Sequence, residues 1–386
     1  MKPYRVWILI ALVVLVPAVQ ASAAEPYQIG LSAAITGPAA ATYAPTFDAY
    51  KAYFKRVNDA GGINGHPVEI LVEDDRGEPS RAAANAKKFS EGVIAVVVAS
   101  TSATYNPFLV ESETGKIPLL FGGGVCPPRA FPPAAPLVFC STSFGAQWDS
   151  RFAIGFIKQR AGGKKVKVGF VAQNIPISQS EMVFAKNLAG EQGLEALDVV
   201  VVPGGTADLT PFASRIKESG AEWVLSWAPW PIEIGVFEAL NRIGWNGNYL
   251  LYAHQQAQAD LTRLKAPNLL GFGGNSFFSE NLPIHRQIID AVKGVTTHSP
   301  DFMAEGWVSA MVIEAGLRKC GWPCGKEKLA QALTSVSVDT KGVRGGPIEW
   351  TTDNHYRKNT YYKVYRWDSG KGAIVSVADW TRLEVK

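Results

Sequence analysis

Five histidines, His66, His254, His285, His298 and His355, are scattered along the chain without the His-Glu-x-x-His spacing that seats a zinc ion on one helical face. No serine stands in a Gly-x-Ser-x-Gly elbow. No Gly-x-Gly-x-x-Gly precedes the first helix, and no phosphate-loop lysine is present. Asp74-Asp75 ends a strand-like segment in the manner of a metal-binding pair. Four cysteines fall into two local pairs. Cys126 and Cys140 bracket a proline-rich loop, and Cys320 and Cys324 bracket Gly321-Trp322-Pro323. These spacings do not make a zinc knuckle, and neither pair is Cys-x-x-Cys. The nearest-neighbour pairing closes the shortest loops. Closing the longer one stabilises the fold by ~3 kcal/mol in the chain-entropy model. Catalysis finds no support, and neither a cofactor nor a resident metal is expected.

Such cysteine chemistry needs an oxidising compartment, and the amino end provides the address. Lys2 and Arg5 precede the apolar run Val6 to Val16, and small residues follow to Ala23-Ala24. This is the pattern of a cleavable signal peptide, residues 1–24, and the run is short of the ~20 residues a spanning helix needs. No second long apolar run follows, so a soluble exported protein is expected. The chain has 386 residues, 47% hydrophobic and 19% charged, which suits two domains with sizeable cores. A formal net charge of +4 with no Lys/Arg stripe gives a nucleic-acid role no support.

The rest alternates between strands and helices. Tyr27 to Ser32 reads as a strand, and Phe47, Tyr50, Phe54 and Val57 as one helical face stopped by Gly61-Gly62. Pro67 to Glu73 is a strand, Arg81 to Phe89 a helix, and Val93 to Ala99 a nearly continuous apolar strand, as when both sheet faces are covered. A helix from about Ala103 to Thr114 and a strand from Ile117 to Phe121 lead into Gly122-Gly123-Gly124. A second unit starts near Ala146, with Trp148, Phe152 and Phe156 on one helical face. It continues through strands Lys165 to Ala172, Ala196 to Val202, Glu222 to Trp227 and Asn248 to Tyr252, with helices between them. Phe302 to Arg318 and Gly325 to Leu333 read as later helices, and Gly346 to Val377 as hairpins. Strand and helix in strict alternation imply parallel sheets with right-handed crossovers. Two such units followed by shared terminal elements imply two lobes with a cleft between them.

Local sequences in this order resemble the leucine/isoleucine/valine-binding group of periplasmic solute-binding proteins of ABC importers. They are Thr36-Gly37-Pro38, Ala60-Gly61-Gly62-Ile63-Asn64-Gly65, Val72-Glu73-Asp74-Asp75, Ser100 to Thr104, Ile117-Pro118, Gly204 to Leu209 and Gly220-Ala221-Glu222. The resemblance implies a type I periplasmic binding fold. Each of its two α/β lobes is a parallel sheet with helices on both faces, and the lobes are joined by a three-segment hinge. Lobe one would be 25–143 with 275–345, and lobe two 144–274 with 346–386. It implies a monomer in the periplasm that binds a small molecule and delivers it to inner-membrane permease subunits. A sensor presenting its ligand to a receptor is the alternative on the same fold. Asp74-Asp75 then becomes a lobe-one loop facing the hinge.

By the same resemblance lobe one holds a ligand carboxylate. Ser102 matches the serine that touches it, with Thr101, Thr104 and the Ser100 backbone alongside. Ser102 is equally placed to serve as a plain N-cap. Gly123 and Gly124 fall where backbone donors approach the anion, or they form a tight turn before Cys126. Val125 stands where a threonine hydroxyl is usual. Tyr43 matches an aromatic at the cleft edge. In lobe two, Asn174 opens a segment that has lost the usual tyrosine. Trp230 sits near a family tyrosine, and Trp148 either faces the ligand or joins the core. His254 stands where amino-acid binders place an acid for the ammonium group, and the next acid is Asp260. A desolvated ammonium needs a counter-charge. The expected ligand is therefore an apolar or aromatic carboxylate, with a branched-chain or other hydrophobic amino acid as the alternative.

Overall fold

The structure is a computed structural model and describes residues 24–115, 117–252 and 257–385. The signal-peptide expectation, apart from Ala24, and His254 lie outside the described residues. The first sheet is built from β1 (Tyr27–Ala33), β2 (Val68–Asp74), β3 (Ala95–Ala99), β4 (Leu119–Phe121) and β5 (Val138–Cys140). Its order is β2-β1-β3-β4-β5, and every pairing is parallel. Parallel neighbours need crossovers, which α1 (Ala40–Asp59), α2 (Pro79–Gly92) and α3 (Tyr105–Glu113) supply. β3, Ala-Val-Val-Val-Ala, is buried at all five positions because helices cover both faces.

The second unit runs α4 (Ala146–Ala161), β6 (Lys167–Gln173), α5 (Pro176–Glu191), β7 (Glu195–Val202), α6 (Thr210–Glu218), β8 (Trp223–Trp227), α7 (Trp230–Arg242), β9 (Asn248–Tyr252), α8 (Ala257–Leu264) and β10 (Leu269–Gly273). Proline in the first turn starts α2, α5, α6 and α7, where its missing N–H has no partner to lose. Gly162, at φ 59°, takes the left-handed position that stops α4. The chain then returns to the first sheet through α9 (Pro283–Val292), α10 (Ala304–Cys320), α11 (Lys326–Leu333) and the small pair β11 (Ser337–Val338) and β12 (Ile348–Glu349). It finishes on the second sheet as the hairpin β13 (Asn359–Asp368) and β14 (Ala373–Glu384). That sheet has the order β14-β13-β10-β9-β8-β6-β7, with β13 antiparallel to β10. The molecule is thus two α/β lobes, and the chain passes between the sheets after β5, β10 and β12.

Each sheet has a core on either face. Under the first sheet, α1, α10 and α11 bury Tyr50, Phe54, Trp307 and Leu333, and α2 and α3 bury Phe89 and Phe108 on the other side. Full burial of each such side chain contributes roughly 1.5–3 kcal/mol. The second of these cores also takes in Tyr356 and Val385 from the far end of the chain. The Cys126–Cys140 and Cys320–Cys324 disulfides are both formed. The loop closed by the first lies against residues 353–356. Cys140 N donates to His355 O (2.9 Å), His355 N to Ala130 O (2.8 Å) and Ala134 N to Asp353 O (2.7 Å). Phe131 stacks on Tyr356 with centroids 4.7 Å apart.

Several elements differ from the sequence reading. β5, α8, β10 and α9 were not anticipated. β5 has only three residues behind a proline-rich loop, and β10 (Leu-Leu-Gly-Phe-Gly) is too short to show a period. The hairpin begins later than Gly346 and extends to Glu384. The helix expected from Ala103 starts at Tyr105, preceded by a single 3₁₀ turn over Ser102–Thr104.

Candidate ligand-binding site

The loops after β1, β2, β3 and β4 gather at the carboxyl edge of the first sheet, where α/β sheets place their ligands. Asp75 organises them. Its buried carboxylate accepts from Ser32 Oγ (2.8 Å), Ser100 Oγ (2.6 Å) and Gly77 N (2.8 Å), and Asn85 braces Ser32 (3.0 Å). Asp74 accepts from Ile35 N (3.0 Å), Thr36 Oγ1 (2.5 Å) and Arg76 N (3.0 Å). Burial pushes its pKa up, but these hydrogen bonds outweigh it and hold the carboxyl below the usual range. Both oxygens of the pair are therefore occupied as loop braces. Among the described residues no group of three or more His, Cys, Asp or Glu is placed to hold a metal ion.

The structure brings Tyr43, Ser100, Gly123 and Gly124 together. The Ser100 side chain serves Asp75, and its carbonyl accepts from Tyr105 Oη (3.2 Å). The Gly123 carbonyl accepts from Ser143 Oγ (3.1 Å) and Tyr105 Oη (3.5 Å). Gly124 sits at φ +69°, and a Cβ there would lie 2.7 Å from Tyr105 Oη and 3.0 Å from Tyr43 Oη. Only glycine fits this turn, so the tight-turn role and the close approach of the phenols coincide. Burial, then the charges of Glu305 and Asp75, raise the Tyr43 pKa, so the phenol stays a neutral donor. Beside this group, Thr101 Oγ1 is buried with no hydrogen-bond partner among the described residues, and Ser102 is exposed. Thr104 gives its hydroxyl to Thr101 O (2.8 Å). Ser102 caps no α-helix, since one 3₁₀ turn separates it from α3.

The second-lobe candidates are more dispersed. Trp148, half-buried in the first turn of α4, packs against cores of both lobes, and the Arg151 guanidinium lies 5.3 Å from its ring centroid. Trp230 is buried in the core of α6, α7 and α8, and its Nε1 donates to Asp260 Oδ2 (2.8 Å). That ties the indole to α8 of its own lobe. Asn174 is exposed and accepts from Gln179 Nε2 (3.0 Å).

Several residues near the site were missed. Phe144 bridges the lobes: its N donates to Gly124 O (3.0 Å), and its ring lies 5.6 Å from Trp227 and 5.1 Å from Tyr252. Behind it Asp149 accepts from Tyr362 Oη (2.7 Å) and Trp227 Nε1 (3.0 Å). Burial pushes Asp149 up to about 7 against those bonds and against Arg357 and Arg344. Burial likewise pushes Glu181 up to about 8, although Ser150 donates to it. Arg344, between β11 and β12, and Arg357, on the last passage between the lobes, are both buried. Arg344 Nη2 donates to Thr142 O (3.1 Å), and Arg357 donates to Ser143 O. Burial, then the charge of Arg357, brings Arg344 down to about 10. Glu305 is 9% exposed at the start of α10. None of these had a local sequence signal, apart from aromatic residues next to strand ends.

Open strand ends carrying hydroxyls, a glycine turn and aromatic rings, set between two α/β lobes, describe a clamp for a small molecule. The chain belongs to the periplasmic binding protein family, whose model matches residues 26–372. It has the two-lobed type I fold of periplasmic solute-binding proteins. It is 24% identical over 370 residues to the leucine-, isoleucine-, valine-, threonine- and alanine-binding protein of Pseudomonas aeruginosa, covering 94% of this chain and 93% of that one. Its fold matches a branched-chain amino acid ABC transporter protein from Thermus thermophilus with bound valine (TM-score 0.79, 18% identity, 93% of this chain and 97% of that one). It also matches a solute-binding protein from Rhodopseudomonas palustris BisB5 in complex with 3,4-dihydroxybenzoic acid (TM-score 0.76, 16% identity, 93% and 98%).

Proposed function

We propose that this protein captures a small carboxylate with an apolar or aromatic body between its lobes and hands it to the permease of an ABC importer. The observation that supports this is the convergence of Tyr43, Tyr105 and the Gly123–Gly124 turn at one sheet edge, with Ser102 beside it and Phe144 leading to the aromatic rings of the second lobe. In this reading the anion lies on Ser102, Thr101 and the backbone after β3 and β4. Phe144, Trp148 and Tyr252 are the apolar walls, where ring packing rewards a flat ligand. The lobes are 25–143 with 275–345 and 144–274 with 346–386. Because Trp350 and Tyr356 pack in lobe-one cores, we shift the last boundary to about residue 358. Export through residues 1–24 and action as a monomer belong to the same proposal.

The test is a thermal-shift screen of amino acids, aromatic acids, aliphatic acids and their amides, with calorimetry on the hits. A ligand that binds only the folded form raises the melting temperature with its concentration. Acids should bind and their uncharged amides should not. Equal binding of acid and amide would sink the carboxylate assignment.

A further inference from the structure

The outer face of the first lobe carries a cavity of about 660 Å³ between the last turns of α1 and the length of α9. It is remote from the cleft proposed above. Tyr43 stands in the first turn of α1, and Lys55, in the cavity wall, is about 18 Å further along that helix at 1.5 Å per residue. Ala52, Ala291 and Val295 belong to or pack on the core beneath α1, so they form an apolar floor. The walls are charged and exposed. Lys55 and Arg56 come from α1, Arg286 and Lys293 from α9 and its end, against Asp59 and Asp290.

Four cations against two acids leave a surplus of two positive charges. One pair cancels within α1, where Lys55 Nζ lies 2.6 Å from Asp59 Oδ2. Arg56 has no carboxylate partner among the described residues. Its guanidinium is held over rings, 5.1 Å from the Tyr53 centroid and 5.7 Å from that of Trp307. Arg286 donates through Nη1 to Asn281 O (2.7 Å) and Oδ1 (3.0 Å), which fixes its fork and leaves Nε and Nη2 without a partner among the described residues. The Lys293 ammonium likewise has none there. Cations lining one concavity focus a positive potential that the same charges on a convex surface would not. Two guanidinium forks from neighbouring helices match the oxygens of a phosphate group.

We propose that this cavity binds an organic phosphate monoester, its head between Arg56 and Arg286 beside Lys293 and its carbon body over Ala52, Ala291 and Val295. Such a head carries about −1.5 to −2 charge at pH 7, which matches the surplus, whereas a monocarboxylate would leave about half of it uncancelled. The site therefore differs from the cleft in ligand class as well as in place.

The experiment is calorimetry at low salt with phenyl phosphate and with inorganic phosphate, on the wild type, Arg286→Gln, Lys293→Gln and Ser102→Ala. The wild type should bind phenyl phosphate at least fivefold more tightly than inorganic phosphate, because only the ester covers the floor. Arg286→Gln should weaken phenyl phosphate at least fivefold and Lys293→Gln at least twofold. Both side chains are exposed, so neither change threatens the fold. Ser102→Ala, at the other end of the lobe, should change nothing. No binding to the wild type, or equal affinity in Arg286→Gln and the wild type, overturns the site. A loss confined to Ser102→Ala overturns it too, since the ester would then be in the cleft. Inorganic phosphate binding as tightly as the ester overturns the assignment of an organic body.

Discussion

Replacing Asp149 by asparagine should make the protein more stable at alkaline pH while changing little in acid. Asp149 is 1% exposed and receives hydrogen bonds from Tyr362 Oη (2.7 Å) and Trp227 Nε1 (3.0 Å), which tie α4 to β13 and β8. Burial pushes its pKa from 3.8 up to about 7. A carboxyl raised in the folded state binds protons there that the unfolded chain has released. Its contribution is fully present below the unfolded value and is lost as pH rises through about 7. Between pH 5 and pH 9 the loss covers about two pKa units at ~1.36 kcal/mol each, or about 3 kcal/mol. Asparagine fits the same space, accepts from the indole and does not ionise. The assay is urea unfolding of both proteins at pH 5, 6, 7, 8 and 9, read as the difference in unfolding free energy at each pH. Groups shared by the two proteins drop out of that difference. Glu181, raised partly by Asp149, adds to it with the same sign. The difference should grow in favour of Asp149→Asn by about 3 kcal/mol, mostly below pH 8. A difference that stays constant across the range would refute the claim that Asp149 is neutral in the folded protein at low pH.

Two further substitutions probe the expected cleft. Ser102→Ala should weaken a carboxylate ligand by roughly 1–2 kcal/mol in calorimetry, the value of one hydrogen bond to a charge, and an unchanged affinity would remove Ser102 from the site. Trp230→Phe should lose about 1 kcal/mol of stability with its bond to Asp260 and leave ligand affinity alone. Asp260 keeps Arg263 as a partner (2.7 Å). A tenfold loss of affinity in that variant would return Trp230 to the cleft.

What the sequence revealed depended on how locally each feature is encoded. Asn248–Tyr252 has the ends read from its residues, because a short apolar run is a signal within a few residues. The Gly122–Gly124 turn was visible for the same reason, and Tyr43 only through the family resemblance. Short buried strands such as β5 carry too few residues for a period. Glu305 was invisible because its position follows from contacts such as Tyr50 with Ser309, 259 residues apart. Asp149 was likewise hidden, since its pKa is raised by burial among elements distant in sequence, Tyr362 being 213 residues away. A motif shows which loop meets a ligand. It does not show which distant elements pack behind it.

The core that joins Tyr356 and Val385 to α2 and α3 bears on how the protein is made. A ribosome releases the first lobe's strands and helices early, but this core stays open at one end until the last residues arrive. The loop closed by Cys126 and Cys140 waits for residues 353–356 to lie against it, and Asn354 in turn donates to Val385 O (3.2 Å). Contacts spanning more than 200 residues are slow to form. Both lobes are therefore complete only once the last residues are in place, since the first packs Tyr356 and Val385 and the second pairs β13 and β14.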